Sequence, residues 1–290
     1  MFDIIIVGGG PAGASAGIYA KRAGMKTLII DSGESVLLEA KSVQNYYGFS
    51  NISGKDLIKN GVEQYKSLGG EFVQGQVVSI VQNYENNTFE VKLANEHYVA
   101  KALILCMGGQ KRQIVQGLEK FENVSYCAIC DGFFYRDRVV AVLGSGEYAI
   151  AECQDLEKVA KKVYLCTNGK KLEYSAENVE VINAEIEEYQ GSSMLEKIIF
   201  RNKREVEVSG IFVALGKMGS LDIAQKLGIL TNNNSIIVDK NMMTNVPGVF
   251  AGGDAIGGLL QVAKSVSDGA KAGLEAVRYL KFLEIKNEQR

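Results

Sequence analysis

Apolar positions along this chain follow one repeating order. A short unbroken run of aliphatic residues is closed by glycines, followed by a longer stretch with one apolar face, then by a second short run. DIIIV at 3–7 opens the first cycle, ASAGIYAKRAG at 14–24 supplies the amphipathic stretch with Gly24 as its stop, and MKTLIID at 25–31 completes it. Runs of this kind, short and β-branched, predict strands buried on both faces of a parallel sheet. The second cycle is RVVAVLGSGEYAIAECQDLEKVA at 138–160 followed by KKVYLC at 161–166, with further strands expected near 178–183, 195–200 and 205–215. Two strand–turn–helix–strand cycles predict an α/β protein made of two doubly wound, Rossmann-like nucleotide-binding domains.

The first glycine cluster carries a dinucleotide fingerprint in its expected place. In GGGPAG at 8–13, Gly8 allows the sharp turn out of the strand, Gly10 lets backbone approach a pyrophosphate, and Gly13 lets helix and strand pack closely, with Pro11 and Ala12 opening the helix. The helix N-terminus offers unpaired N–H groups and partial positive charge. Asp31 ends the next strand 23 residues after Gly8, where a carboxylate accepts from ribose hydroxyls. Far downstream, VPGVFAGGDAIG at 246–257 resembles the segment with which many FAD-dependent disulfide reductases close on the flavin. That resemblance assigns Gly253 and Asp254 to the ribityl or pyrophosphate part of FAD. It also makes LQVAKSVSDGAKAG at 260–273 a helix directed at the isoalloxazine ring, with Gln261 and Val262 at its start. Flavin segments at both ends of the chain imply a discontinuous FAD-binding domain, 1–112 and 245–290, with a central domain, 113–244, inserted in it.

Composition narrows the function. A net charge of −2 and 23% charged residues give no electrostatic reason to expect nucleic acid. No apolar stretch nears the roughly 20 residues of a spanning helix, so no membrane is expected either. The single histidine, His97, lies in a polar stretch and reads as a surface residue, which argues against histidine-based catalysis. Five cysteines is an odd number, and only two have motif spacing, which suits a reducing compartment; the chain is read as cytoplasmic.

Those two are Cys127 and Cys130 in SYCAICDG, next to Asp131. A CxxC in such a chain is redox-active or half of a zinc site. Zinc calls for a second pair, and Cys106, Cys153 and Cys166 stand alone, the first and last at strand ends where small buried hydrophobes belong. The redox reading makes Cys127 and Cys130 a reducible disulfide. It makes Asp131 the carboxylate that moves protons as the dithiol forms, against the blander role of a cap.

In order and spacing, GGGPAG, NYYGF at 45–49, CAICDG, GSGEYA and VFAGGD resemble the low-molecular-weight thioredoxin reductases. The resemblance implies a homodimer with one FAD per subunit, in which electrons pass to the Cys127–Cys130 disulfide and then to thioredoxin. It also places Asn45 near the flavin. The chain departs from the family where NADPH is read. After the second strand of the central domain come CTNGKK at 166–171, with no arginine for a 2′-phosphate and no acid for a ribose, and lysines such as Lys170 and Lys171 do not reproduce a bidentate arginine grip. Tyr148 stands in GSGEYA where the family has a small serine, close to the expected pyrophosphate, and FVALGKMGS at 212–220 lacks the usual proline and asparagine. Such changes are similar to those of the subgroup that takes electrons from reduced ferredoxin. A plant-type ferredoxin near about −400 mV and thioredoxin near about −270 mV leave roughly 6 kcal/mol for two electrons. An acidic ferredoxin would meet a basic patch, for which Lys111, Arg112, Arg136 and Arg138 are candidates. The alternatives are an NADPH-dependent thioredoxin reductase with a degenerate site, and a non-enzymatic flavin or thiol redox sensor.

Overall fold

The computed structural model describes residues 1–108, 115–172, 174, 176–216 and 218–288. Its helices are α1 (Pro11–Arg22), α2 (Gly54–Ser67), α3 (Ala128–Asp131), α4 (Glu147–Glu157), α5 (Ser220–Lys226) and α6 (Val262–Glu288). The chain divides into two compact units, residues 1–111 with 219–290, and residues 112–218.

The first unit is built on a sheet in which Glu71–Gln74, Thr27–Asp31, Phe2–Val7, His97–Leu105 and Val249–Ala251 lie side by side in parallel. The nine-residue strand His97–Leu105 serves two partners along one edge. Its first half pairs antiparallel with Thr88–Lys92, itself paired with Ser79–Asn83, and its last three residues pair parallel with Val249–Ala251. The alternation of sequence follows that division, because exposed His97 opens the strand while Ala102 to Leu105 are fully buried. Ile4, Ile6, Ile29, Ile104 and Phe250 form the sheet's contribution to the core, and Ala12, Ala16, Ala20, Ala272 and Ala276 bring α1 and α6 onto it. Small residues on both helices let them run close together. Ser15 Oγ also donates to Val266 O at 2.8 Å and ties the first helix to the last. Tyr65 of α2 is wholly buried; it accepts from Thr27 Oγ1 at 2.8 Å and donates to Glu71 O at 3.0 Å, which satisfies its hydroxyl inside the core.

The second unit has its own parallel sheet, ordered Val179–Ile182, Lys162–Cys166, Val139–Leu143, Ile211–Val213 and Val124–Ser125. An antiparallel sheet of Ile186–Gly191, Leu195–Phe200 and Glu205–Glu207 packs with it around Leu195, Ile198, Phe200, Ile211 and Val213. The run expected as one strand over 205–215 is thus two strands in different sheets. They part at Ser209–Gly210, where Ser209 N turns to donate to Val139 O.

The return to the first unit falls at 219 rather than at 245. Residues 220–243 contain α5 and the short hairpin Thr231–Asn232/Ser235–Ile236, whose contacts run to the first unit: Met242 belongs to its core and Met243 bridges Phe250. These elements are too short to show a period in the sequence, which is why the boundary was misplaced.

Candidate active site

The flavin-type residues of the first unit converge from four segments. Gly8 adopts φ +104°, and its N–H donates to Ile30 O at 2.8 Å, so the chain turns sharply from strand to helix. Any side chain at Gly13 would fall 1.7 Å from Gly8 O, so only glycine lets α1 start this close to the strand. Gly10 is the N-cap, Pro11 begins the helix, and the Cβ direction of Gly10 meets nothing within 4 Å. The space beside the α1 N-terminus at Gly10 is therefore open. Asp31 is fixed by two backbone donors, Gly9 N to Oδ1 at 2.8 Å and Gly33 N to Oδ2 at 3.0 Å. Each oxygen keeps a further acceptor position.

The downstream half closes on this turn. Gly253 lies against Ala12, so close that a Cβ on Gly253 would be 2.8 Å from that of Ala12. Asp254, next along a single 3₁₀ turn over Gly253–Ile256, accepts from Ser265 Oγ at 3.3 Å. Asn45 Nδ2 donates to Gln261 Oε1 at 2.7 Å, joining two predicted residues that are 216 positions apart. Val262 is the first residue of α6, half-buried. A helix N-terminus opened by Gly10, an oriented carboxylate at the strand end and a second carboxylate on a turn packed against the first helix fit a dinucleotide cofactor such as FAD.

Two residues here escaped the sequence reading. Lys264 Nζ donates to Gly253 O at 2.8 Å and Gly257 O at 2.5 Å, and pairs with Asp268 Oδ2 at 2.7 Å, so all three of its protons are used. Asp268 Oδ2 also accepts from Gly253 N at 3.1 Å. Together they lock both backbone groups of Gly253 and hence the turn that carries Asp254. A lysine in the first turn of a helix opposes the macrodipole, and that misfit was the available signal of a tertiary partner.

In the second unit, Cys127 and Cys130 form a disulfide with Cα atoms 5.3 Å apart. Cys127 caps the single turn of α3 and is fully buried, its Sγ accepting from Cys130 N at 3.2 Å; Cys130 is partly exposed. Asp131 Oδ2 accepts from Ser125 Oγ at 2.6 Å, and that hydroxyl accepts from Cys127 N at 3.1 Å. A three-group chain thus runs from the carboxylate to the backbone of the buried cysteine. Ser125, to which the sequence assigned no role, is its middle member. The other cysteines are buried, and burial pushes the thiols of Cys106 and Cys166 up to about 12 and that of Cys153 up as well. At neutral pH they are inert hydrophobes, since the thiolate is the reactive form. Among the described residues, no group of three His, Cys, Asp or Glu side chains could hold a metal ion.

The second glycine turn differs from its expected form. Tyr148 points inward, 2% exposed, and its hydroxyl donates to Tyr126 O at 3.1 Å; it does not stand at the pyrophosphate position. Glu152, one turn further along α4, is also buried and accepts from Ala128 N at 2.6 Å. Lys170 and Lys171 are exposed on the turn after Lys162–Cys166. Arg136 and Arg138 are exposed, Arg136 standing 5.2 Å from the centre of the Phe133 ring, while Lys111 and Arg112 lie outside the described residues.

Two nucleotide-type folds, one with a flavin cradle and the other with a CxxC disulfide, define a flavoprotein disulfide reductase, and comparison with known proteins agrees. Residues 2–269 match the pyridine nucleotide-disulphide oxidoreductase model, and the chain belongs to that family. Within it the chain is of the thioredoxin reductase type, a class of FAD-binding flavoproteins. It is 34% identical over 303 residues to the thioredoxin reductase of Aquifex aeolicus, covering 97% of this chain and 94% of that one. Among solved structures, the atypical thioredoxin reductase TRi from Desulfovibrio vulgaris Hildenborough superposes with a TM-score of 0.88 at 33% identity, over 97% of this chain and 98% of that one. A ferredoxin-flavin thioredoxin reductase from Clostridium acetobutylicum gives 0.70 at 30% identity, with coverage of 97% and 98%. No described helix is long and apolar enough to cross a membrane.

Proposed function

We propose that this chain is a cytoplasmic homodimeric enzyme that reduces thioredoxin with electrons from reduced ferredoxin, passed through FAD and the Cys127–Cys130 pair. The observation that carries the choice of donor is the second glycine turn. Its helix turns Tyr148 into the protein interior, and the strand that follows ends at Cys166 and is succeeded by Thr167 and Asn168, with no arginine or acid to grip the far end of a pyridine nucleotide. The solved ferredoxin-flavin relative, alike over nearly the whole chain, supports the same reading.

FAD, when bound, supplies a carrier that accepts electrons singly or in pairs. The α1 N-terminus and Asp31 would hold its adenosine diphosphate end, Asp254 its middle, and Asn45 with Gln261 its ring. Reduction of the disulfide takes two electrons and two protons. Asp131, next to Cys130 in the chain and held by Ser125 Oγ, is the carboxylate that would supply protons as the dithiol forms. The dithiol then exchanges with a disulfide of the substrate: a thiolate attacks, a mixed disulfide forms, and the second thiol releases the reduced product. Ile129, Phe133 and Phe134 are exposed around the pair, at 47%, 68% and 73%, which suits a protein substrate with an apolar rim around its own disulfide.

The second reading, an NADPH-fed thioredoxin reductase, is favoured by the retained strand–glycine–helix unit itself. The test is anaerobic mixing of the oxidised holoenzyme with excess NADPH and, separately, with reduced ferredoxin, following the flavin's visible absorbance. Bleaching by ferredoxin alone is the expected result. Rapid bleaching by NADPH would overturn the choice of donor and direct attention to Lys170 and Lys171.

A further inference from the structure

The α4 helix begins where a dinucleotide-binding helix would offer its N-terminus to phosphate. Two of its side chains, Tyr148 and Glu152, are four residues apart and therefore on one face. Both are buried, at 2% and 1% exposure, and both reach the same short stretch of backbone. Tyr148 donates to the carbonyl of Tyr126, and Glu152 accepts from the N–H of Ala128. Those are the residues immediately before and after Cys127. Ser125, itself bound by Asp131, holds the N–H of Cys127 within the same segment.

We propose that Tyr148 and Glu152 are positioning residues for Cys127, a brace that clamps the backbone on both sides of this cysteine and thereby sets the redox equilibrium of the Cys127–Cys130 pair. The argument is one of preorganisation. Closing a disulfide requires one sulfur to be presented to the other in a narrow range of geometry. A backbone fixed at residues 126 and 128 leaves Cys127 little freedom, which raises its effective concentration toward Cys130 and favours the closed form. Loosening either contact therefore makes the disulfide easier to reduce. Reduction itself is unchanged in its balance: the S–S bond takes two electrons and two protons and yields two thiols. The proposal rests on the pair being the enzyme's redox centre and is independent of which donor feeds it.

The test uses the holoenzyme and four variants, Tyr148→Phe, Glu152→Gln, Glu152→Ala and Cys127→Ser. Each of the first three is equilibrated in dithiothreitol buffers of graded potential, and the dithiol fraction is counted by thiol alkylation. Tyr148→Phe removes the hydrogen bond to Tyr126 O and is expected to shift the equilibrium about fivefold toward dithiol. Glu152→Ala leaves a buried N–H unpaired and is expected to shift it about tenfold or more. Glu152→Gln keeps an oxygen acceptor for Ala128 N and is expected to stay near wild type, a rescue that loss of bulk stability would not produce. A wild-type equilibrium in both Tyr148→Phe and Glu152→Ala, even with lowered melting temperatures, would overturn the brace and leave α4 as packing. If Glu152→Ala fails to fold, Tyr148→Phe decides alone. Cys127→Ser separates the two levels: full disulfide reductase turnover in that variant would overturn the redox reading beneath the brace, whereas lost turnover with silent Tyr148→Phe and Glu152→Ala would overturn the brace only.

Discussion

The two glycine turns of this chain start from the same strand–turn–helix plan and end in opposite uses. In the first, Gly10 looks onto open space, and Asp31 is held by Gly9 and Gly33 with acceptor positions to spare. In the second, the helix sends Tyr148 and Glu152 inward to the backbone flanking a cysteine, and the following strand is succeeded by Thr167, whose hydroxyl is spent on Lys170 O at 2.5 Å. A helix N-terminus attracts phosphate only where its first turn is open and the next strand supplies a polar reader. Remove both, and the same unit becomes a support.

The comparison predicts that damage to the two turns separates cleanly, and the largest effect belongs to the cysteines. Cys127→Ser or Cys130→Ser should reduce disulfide turnover by about a thousandfold or more, because no dithiol can form, while flavin content stays at wild type. Stoichiometric FAD alongside lost turnover would be seen in the visible spectrum and in a coupled thioredoxin assay. Flavin loss in either variant would mean that the two functions are not divided between the units as described.

Asp31→Ala attacks the first turn. It deletes a carboxylate with two backbone donors and removes the ribose acceptor, so FAD should bind about ten- to a hundredfold more weakly, roughly 1.5–3 kcal/mol. Tyr148→Phe, at the matching helix of the second turn, should leave FAD affinity untouched. Fluorescence titration of apoprotein with FAD measures both, and equal losses would erase the contrast.

Lys264→Met is the third in size. The ammonium holds two carbonyls and Asp268 behind the turn bearing Asp254, and it is about four-fifths shielded, with 20% of its side chain exposed. Its loss should weaken FAD by about tenfold without touching any group that faces the cofactor, since it frees the turn and leaves three acceptors to find new partners. Unchanged affinity and unchanged FAD release would show that the turn is held by backbone geometry alone.

How much of this was legible in the sequence follows from what each feature is made of. The parallel strands were readable because burial on both faces leaves unbroken aliphatic runs such as DIIIV and VVAVL. The placement of Asp31 at the strand end and of Gly13 at the helix start was readable because it depends on spacing along one βαβ unit. Asn45 and Gln261 were each set near the flavin by the family resemblance alone, the hydrogen bond between them was not foreseen, and Lys264, Ser125 and Glu152 were missed. Their roles are hydrogen bonds to backbone groups brought near by folding, and a backbone acceptor leaves no mark in a sequence. Tyr148 shows the remaining kind of miss. Its position in the motif was read correctly, but the direction of its side chain depends on the helix face, and that face turned out to be the buried one. The domain return at 219 was hidden for a further reason, the brevity of α5 and the hairpin that follows it.

Acid offers the smallest and the most even-handed test of the comparison, because each unit has a carboxylate whose ion pair holds its pKa down. Glu180 in the second unit is held below its ordinary value of 4.5 by hydrogen bonds from Lys162 and Arg204. In the first unit burial pushes Asp3 up, but the Lys101 ammonium at 2.8 Å and the Lys26 N–H outweigh it, and the net direction is down. A carboxylate with a depressed folded pKa contributes stability above its unfolded pKa and loses it as the pH falls through the folded value. Both contributions should therefore be intact at pH 7 and disappear below about pH 4. Glu180 is more than a third exposed, so solvent screening keeps its share small. Melting temperature followed from pH 7 to pH 3 should fall, and Asp3→Asn and Glu180→Gln should each flatten a part of that fall while lowering the pH 7 value slightly. An acid limb flattened by Asp3→Asn alone would mean that the second unit does not draw stability from its ion pairs, leaving its buried contacts, the brace on Cys127 among them, to hold it together.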